Sequence, residues 1–194
     1  MLTYKKTIEE NRLVIEYDGS TYSPRTWDNI GYFVTIESRY KSPDGNPEDL
    51  RRIIDSAYYD DTEKTVDSHI KLIQKYYVGD IKFIVPITRY EHGLIKYSIG
   101  AKQGWDYSTC GFYIITQKQW EVAGRPDEDT MLEVINTEID LYNQWVNGET
   151  YSFTLLDENG DFQDSGSGFY SKEDIRDELP EEFKDVDLDE YLTY

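Results

Sequence analysis

The chain has 194 residues, with 39 Asp+Glu against 20 Lys+Arg, a formal net charge of -19 and 38% hydrophobic residues. Its 18 Tyr, 7 Phe and 4 Trp supply the apolar area that a folded core needs, which excludes wholesale disorder. The charge puts direct binding to phosphate backbones or anionic lipid at a disadvantage and points to partners that carry positive charge.

The elements follow in chain order. Residues 12–19 alternate Leu13, Ile15 and Tyr17 against Val14, Glu16 and Asp18 and read as a strand. Residues 20–29 form a loop. Residues 30–38 are a second strand, nearly continuous in apolar side chains at Tyr32, Phe33, Val34 and Ile36, and so central in a sheet. A turn at 42–46 leads to Pro47 at the first position of a helix carrying Leu50, Ile53, Ile54 and Ala57. A second helix near 63–77 places Val66, Ile70, Ile73 and Tyr77 on one stripe, with His69 off it and therefore at the surface, and Gly79 ends it.

Residues 81–90 and 94–102 read as a hairpin around Glu91-His92-Gly93, with Pro86 demanding an edge position or a bulge. Residues 111–116 are a buried strand that runs into a short helix at 117–123. The longest helix spans 130–147, with a capping-box pattern from Thr130 to Glu133. Its apolar stripe is Met131, Leu132, Ile135, Ile139, Tyr142 and Val146, and its polar face is Glu133, Asn136, Asp140 and Asn143. Residues 150–156 and 162–169 form a hairpin whose Asn159-Gly160 pair suits a type I′ turn. A helix at 171–179, stopped by Pro180, and an acidic stretch with interspersed apolar residues complete the chain. These elements predict a single α+β domain over residues 1–170, with an antiparallel or mixed sheet and three to five helices packed on it. Residues 171–194 follow as an acidic C-terminal extension, docked or partner-dependent.

The anionic excess is segregated. Residues 127–194 contain 21 acidic and 3 basic side chains, whereas residues 1–126 are almost neutral. Such a distribution marks an acidic binding face or a solvated surface kept soluble by its charge. The carboxylates expected to meet a basic groove are Glu133, Asp140, Asp157, Glu158, Asp161, Asp164, Glu173, Asp174, Asp177, Glu178, Glu181 and Glu182.

Catalytic and metal-binding chemistry finds little support. One Cys excludes an internal disulfide, and two His with it cannot build a structural zinc site. Cys110 reads as a buried, inert thiol and His92 as a hairpin-tip residue. Neither frame of the 157–172 region is a calcium loop: Gly160 falls fourth from Asp157, and Lys172 stands where counting from Asp161 requires a bidentate Glu. Asp80-Ile81-Lys82 is the nearest approach to a metal-nuclease pattern, and no nucleophile elbow or phosphate-binding glycine loop occurs. No cofactor is expected. The enzyme alternative is a metal-dependent activity on nucleic acid or nucleotides, built on Asp28, Asp80, Asp106 or Asp164. The N-terminal sequence has no apolar run, so neither a signal peptide nor a membrane helix is expected and the predicted compartment is the cytosol.

One loop differs in kind. Ser23-Pro24-Arg25-Thr26-Trp27-Asp28-Asn29-Ile30-Gly31 combines a restricted turn, a cation, an aromatic ring and two capping side chains. It is either stapled by Trp27 with Asp28 and Asn29 capping local backbone, or a polar site in which Arg25 and Asp28 face a partner, with Trp105, Asp106 and Gly168-Phe169-Tyr170 as companions.

The Ser23-Pro24-Arg25-x-Trp27-Asp28-Asn29-x-Gly31 motif, Trp105-Asp106 before Gly111-Phe112-Tyr113-Ile114, and Val146-Asn147-Gly148-Glu149-x-Tyr151 with Asp164-Ser165 and Gly168-Phe169-Tyr170 resemble a set of small acidic proteins encoded by phages and plasmids. The resemblance covers scattered blocks between residues 12 and 170, and the first block is the specific one. Phage and plasmid proteins of this size and acidity include anti-CRISPR and anti-restriction inhibitors, many of which imitate DNA. The resemblance thus implies an origin. Joined to the charge segregation, it leads to an expected function: an anti-defence protein that inhibits a host Cas nuclease or restriction enzyme by occupying its basic nucleic-acid channel in the bacterial cytoplasm. A metal-dependent enzyme and a non-inhibitory phage interaction protein are the alternatives.

Overall fold

The computed structural model describes residues 6–8, 11–36, 41–45, 49–77, 79–102 and 104–193. In chain order the elements are β1 (Lys6–Ile8), β2 (Asn11–Tyr17), β3 (Tyr32–Thr35), α1 (Leu50–Asp60), α2 (Val66–Tyr76), β4 (Ile81–His92), β5 (Leu94–Ile99), β6 (Tyr107–Thr116), α3 (Gln117–Val122), α4 (Glu128–Val146), β7 (Tyr151–Leu156), β8 (Phe162–Phe169), α5 (Lys172–Glu178) and β9 (Leu192–Thr193). The class is α+β, as the pattern predicts. The chain forms two compact units, one of residues 24–143 and one of residues 1–23 with 144–194. The expected Pro47 helix start and the end of the strand at 37–38 lie outside the described residues.

In the 24–143 unit the sheet runs β3-β6-β4-β5, antiparallel throughout. An interior strand contacts side chains on both faces, and β6 meets this demand with an unbroken buried run from Cys110 to Ile115. Gly111 faces Thr35 in the register, and a Cβ there would lie 2.1 Å from the Val34 carbonyl oxygen, so β3 approaches β6 this closely only over a glycine. Pro86 occupies the part of β4 that precedes its pairing with β5 at Ile87, beside a bulge, where its missing N–H costs nothing. Leu50, Ile54 and Ala57 of α1 and Ile73 of α2 bury one stripe against Val34, Phe112 and Ile114.

Several expectations change here. His69 is buried, with Nε2 3.2 Å from the Ile54 carbonyl oxygen and its ring 5.3 Å from Phe112. It lies off the Val66–Ile73 stripe, but α1 and the sheet together cover a wider arc of α2 than one stripe, and the imidazole keeps a polar contact inside. The long helix α4 starts at Glu128 rather than Thr130, because Asp127 Oδ1 accepts the Thr130 N–H at 2.9 Å and takes the capping role. Asn143, expected on the polar face of α4, is buried as well. Its amide accepts the Tyr97 N–H at 2.7 Å and donates to the Tyr97 carbonyl at 2.9 Å, satisfying the outer backbone of the edge strand β5.

In the other unit the sheet runs β1-β2-β7-β8, with β9 added parallel to β2. Alternation sends Leu13, Ile15, Phe153 and Leu155 to one face, where Ile175, Leu179, Phe183, Leu188 and Tyr191 cover them. Five of the nine buried members of this core therefore come from the C-terminal segment, which docks within the chain. The β7–β8 hairpin is not closed by a type I′ turn. Only Gly160 has positive φ, at 87°, and its N–H donates to the Asp157 carbonyl at 3.0 Å, so the single left-handed residue is the glycine and Asn159 stays in the ordinary region.

Candidate functional site

The C-terminal segment of the second unit is two-sided. Ile175, Leu179, Phe183, Leu188 and Tyr191 point inward, and between them Glu173, Asp174, Asp177, Glu178, Glu181, Glu182, Asp185, Asp187, Asp189 and Glu190 are all exposed. The chain can do this because helical turns alternate apolar and acidic positions: α5 opens at a capping box in which Ser171 Oγ accepts the Asp174 N–H and Asp174 accepts the Ser171 N–H. Two 3-10 turns, Glu181–Phe183 and Leu188–Tyr191, then continue the layer over the sheet. Ten carboxylates within 18 consecutive residues thus share the outer side of one layer whose inner side is anchored in a core.

The three local cations neutralise this layer only in part. Lys172 pairs with Asp189 and lies 5.7 Å from the Tyr151 ring centroid, and Lys184 reaches Glu181 at 3.8 Å. Arg176 spends its NH1 donors on backbone, at the carbonyls of Lys184 and Val186 (2.9 Å for the latter), and so pins the turn rather than cancelling a carboxylate. The unit of residues 1–23 and 144–194 carries 19 acidic against 6 basic residues, a net charge of -13.

The remaining expected carboxylates divide. Glu158, Asp161 and Asp164 are exposed on the β7–β8 hairpin of the same unit. Asp157 builds the turn: its Oδ1 accepts the N–H groups of Asp161 and Asn159 at 2.8 and 2.9 Å, which holds its carboxyl below the usual range. Glu133 and Asp140 are exposed on α4, within the 24–143 unit.

Arg25 is not presented to solvent. Its side chain is 2% exposed, and all five guanidinium donors are engaged inside the 24–143 unit. Nε and NH2 form a fork on Asp44 at 2.8 and 2.7 Å, NH1 reaches Asn29 Oδ1 at 2.8 Å and Glu138 Oε2 at 2.7 Å, and NH2 also donates to the Gly31 carbonyl at 2.9 Å. Glu138 accepts the Ile30 N–H at 2.8 Å and the Tyr113 hydroxyl, and Asp44 accepts the Phe33 N–H. Burial opposes the charge on Arg25, yet Asp44, Tyr113 and Glu138 together more than offset it and raise the guanidinium pKa. Burial and the neighbouring Glu138 raise the Tyr113 phenol, so it remains a donor. A saturated guanidinium has nothing to offer a partner, and the loop is an internal staple made by Arg25 and Asn29. The side chains of Trp27 and Asp28 are exposed. Neither Asp44 nor Glu138 is signalled by spacing, since they lie 19 and 113 residues away.

Trp105 is fully exposed and Asp106 beside it is exposed too, in the turn that leads to β6. Asp28, Asp80 and Asp164 are separate surface residues. Among the described residues no three His, Cys, Asp or Glu side chains gather in a metal-ligating arrangement. Cys110 is buried, 3.5 Å from the Ile87 carbonyl oxygen. A groove of about 940 Å³ in the 24–143 unit lies between the α1 and α2 ends and is lined by Arg52, Tyr59, Asp60, Tyr76 and Tyr77. No described helix is long and apolar enough to cross a membrane.

In the acidic unit the buried carboxylate of Asp18 joins the chain just after β2 to the end of β8. It accepts from Ser20 Oγ at 2.6 Å, the Ser20 N–H at 2.9 Å, Thr21 Oγ1 at 2.9 Å and the Gly168 N–H at 3.0 Å. The Ser20 hydroxyl lowers its pKa most. A depressed carboxylate contributes stability that is present above its unfolded value, about 3.9, and is lost as pH falls through the folded value. The stability gap between the native protein and Asp18→Asn is therefore expected to be full and level above about pH 5 and to shrink toward pH 2, as chemical denaturation at each pH would measure.

Comparison with family models, curated proteins and solved structures finds no match.

Proposed function

We propose that this is a binding protein of the anti-defence kind, which presents the carboxylate layer of residues 173–190 to the basic nucleic-acid channel of a host Cas effector or restriction enzyme. One observation carries the reading: the ten carboxylates stand on a segment whose other side is core, so the charges are held in place before binding. A pre-ordered anionic surface loses little conformational entropy on association and steers a cationic partner toward it. The phage and plasmid resemblance of the Ser23–Gly31 motif supports the setting, and the saturation of Arg25 removes that loop as a competing charged contact.

The test is binding of the full chain to purified Cas effectors and restriction enzymes, measured by surface plasmon resonance at rising ionic strength. Association is expected to slow steeply with salt. Replacing Glu173, Asp177, Glu178, Glu181 and Glu182 with glutamine or asparagine is expected to lower the association rate about 10- to 100-fold while leaving the thermal midpoint nearly unchanged. Partner binding that is indifferent to salt and to these substitutions would remove the proposal.

A further inference from the structure

The 24–143 unit carries a surface of opposite character to the acidic layer. In the β5-β4-β6 part of its sheet, Lys96, Tyr90 and Tyr107 stand opposite one another across three strands, and His92 faces Leu94 in the next row. Direct cross-strand partners share a face, so these five side chains lie on one side of the sheet. The core side of the same strands is marked by Tyr97, which is buried. On the outer side Leu94, Tyr107, His92 and Lys96 are exposed, and the turn before β6 adds the fully exposed Trp105. The Tyr90 ring lies 4.9 Å from Tyr107 and 6.4 Å from His92, centroid to centroid. The loop at 100–102 lies over the neighbouring row, where Lys102 donates its N–H to Thr88 Oγ1 at 3.0 Å, so that the backbone of a second, exposed lysine is held next to the Tyr90 row.

The charge around this platform is reversed relative to the whole chain. Of the four basic residues in 81–109, Lys82 lies toward the far end of β4 with Nζ 4.1 Å from the Trp120 ring centroid and Arg89 lies on the other face, which leaves Lys96 and Lys102 against two acidic residues. Of the two acids, Glu91 lies on the other face and pairs with Arg89 at 3.4 Å, which leaves Asp106 as the carboxylate on the rim. Lys96 and Lys102 make no ion pair with any described residue. Exposed aromatic rings beside unpaired cations are the two components that hold an unpaired nucleic-acid strand, the rings by stacking on bases and the lysines by meeting phosphates. At about 0.1 M salt the Debye length is about 10 Å, so the charge on more remote parts of the chain is largely screened from a strand bound here.

We infer that the outer face of β4, β5 and β6, with Tyr90, His92, Trp105 and Tyr107 as stacking rings and Lys96 and Lys102 as phosphate contacts, binds single-stranded nucleic acid without sequence specificity. The inference is independent of the acidic-layer reading, since it uses other residues in the other unit.

The experiment titrates the full chain into a fluorescently labelled twelve-residue thymidine oligonucleotide, following anisotropy and the quenching of tryptophan fluorescence. Saturable binding with quenching is expected. Trp105→Ala, at a fully exposed position where folding is undisturbed, should weaken it about tenfold, within the stacking range of ~1–3 kcal/mol per base. Lys96→Gln with Lys102→Gln should lower the salt slope by about 1.4, at ~0.7 per phosphate contact on a single strand. A duplex of the same length should bind more weakly than the single strand. Absence of binding at millimolar protein, binding unchanged in Trp105→Ala, or a concentration-dependent self-association in sedimentation that Trp105→Ala abolishes would each overturn the inference, the last by making the face an interface between copies of the chain.

Discussion

Replacing Arg25 with methionine is expected to lower stability by about 3–5 kcal/mol, the range for breaking a buried ion pair by removal of one partner. Methionine keeps much of the volume of the stem but leaves Asp44 and Glu138 facing each other without the guanidinium between them. The structure makes this more than the loss of a surface bridge: the Arg25 side chain is 2% exposed, Asp44 9% and Glu138 14%. The same carboxylates hold the N–H groups of Phe33 and Ile30, so the entry to β3 loosens with them. Arg25→Lys should recover only part of the loss, because an ammonium has three donors and no planar fork to match Asp44. Urea denaturation of the three proteins checks the order, native above lysine above methionine. A methionine variant within 1 kcal/mol of the native protein would show that the staple is dispensable. The acidic-layer reading would be untouched by that result, because the staple uses none of its residues.

The second large effect concerns the C-terminal segment. Deleting residues 172–194 removes Ile175, Leu179, Phe183, Leu188 and Tyr191, five of the nine buried members of this core, and uncovers Leu13, Ile15, Phe153 and Leu155 on the sheet. Single truncations at such positions cost about 2–5 kcal/mol each, so the deletion is expected to unfold the unit outright. Phe183→Ala, a milder form, should cost about 3–5 kcal/mol. Hydrogen exchange at the amides of β2 and β7 reports the change directly: protection in the native chain, lost in the deletion and reduced in Phe183→Ala. Unaltered protection after deletion would mean that the segment is an appendage whose carboxylates are not held by a core, and would undermine the pre-ordered surface on which the proposed function stands.

The sequence was legible where local periodicity and tertiary burial coincide. The strand alternation of residues 12–17, the unbroken apolar run in β6, the helix that ends before Pro180, and the burial of Cys110 all follow from short-range pattern. Pattern failed where a neighbouring residue competes for the same donor or where partners come from far along the chain. Thr130 and Glu133 form a plausible capping box in isolation, but Asp127, placed just after Pro126, captures the Thr130 N–H first. Asn143 reads as a polar-face residue on a helical wheel and is instead consumed by the outer backbone of β5, 46 residues earlier. His69 reads as a surface residue from one stripe, although α2 is covered across a broader arc. The Ser23–Gly31 loop shows the difference most sharply: its residue types suit an outward polar site and an inward staple equally, and only the positions of Asp44 and Glu138 choose between them.

Composition and order along the chain determined by themselves that this protein is an α+β fold with its negative charge crowded into the last third, since helix and strand periods and the count of carboxylates need no knowledge of contacts. Which charges face outward was a tertiary decision. The carboxylates of residues 173–190 and the carboxylates around Arg25 are chemically alike, but the former alternate with apolar residues that a sheet buries, whereas the latter are drawn in by a cation that must itself be compensated once it leaves water.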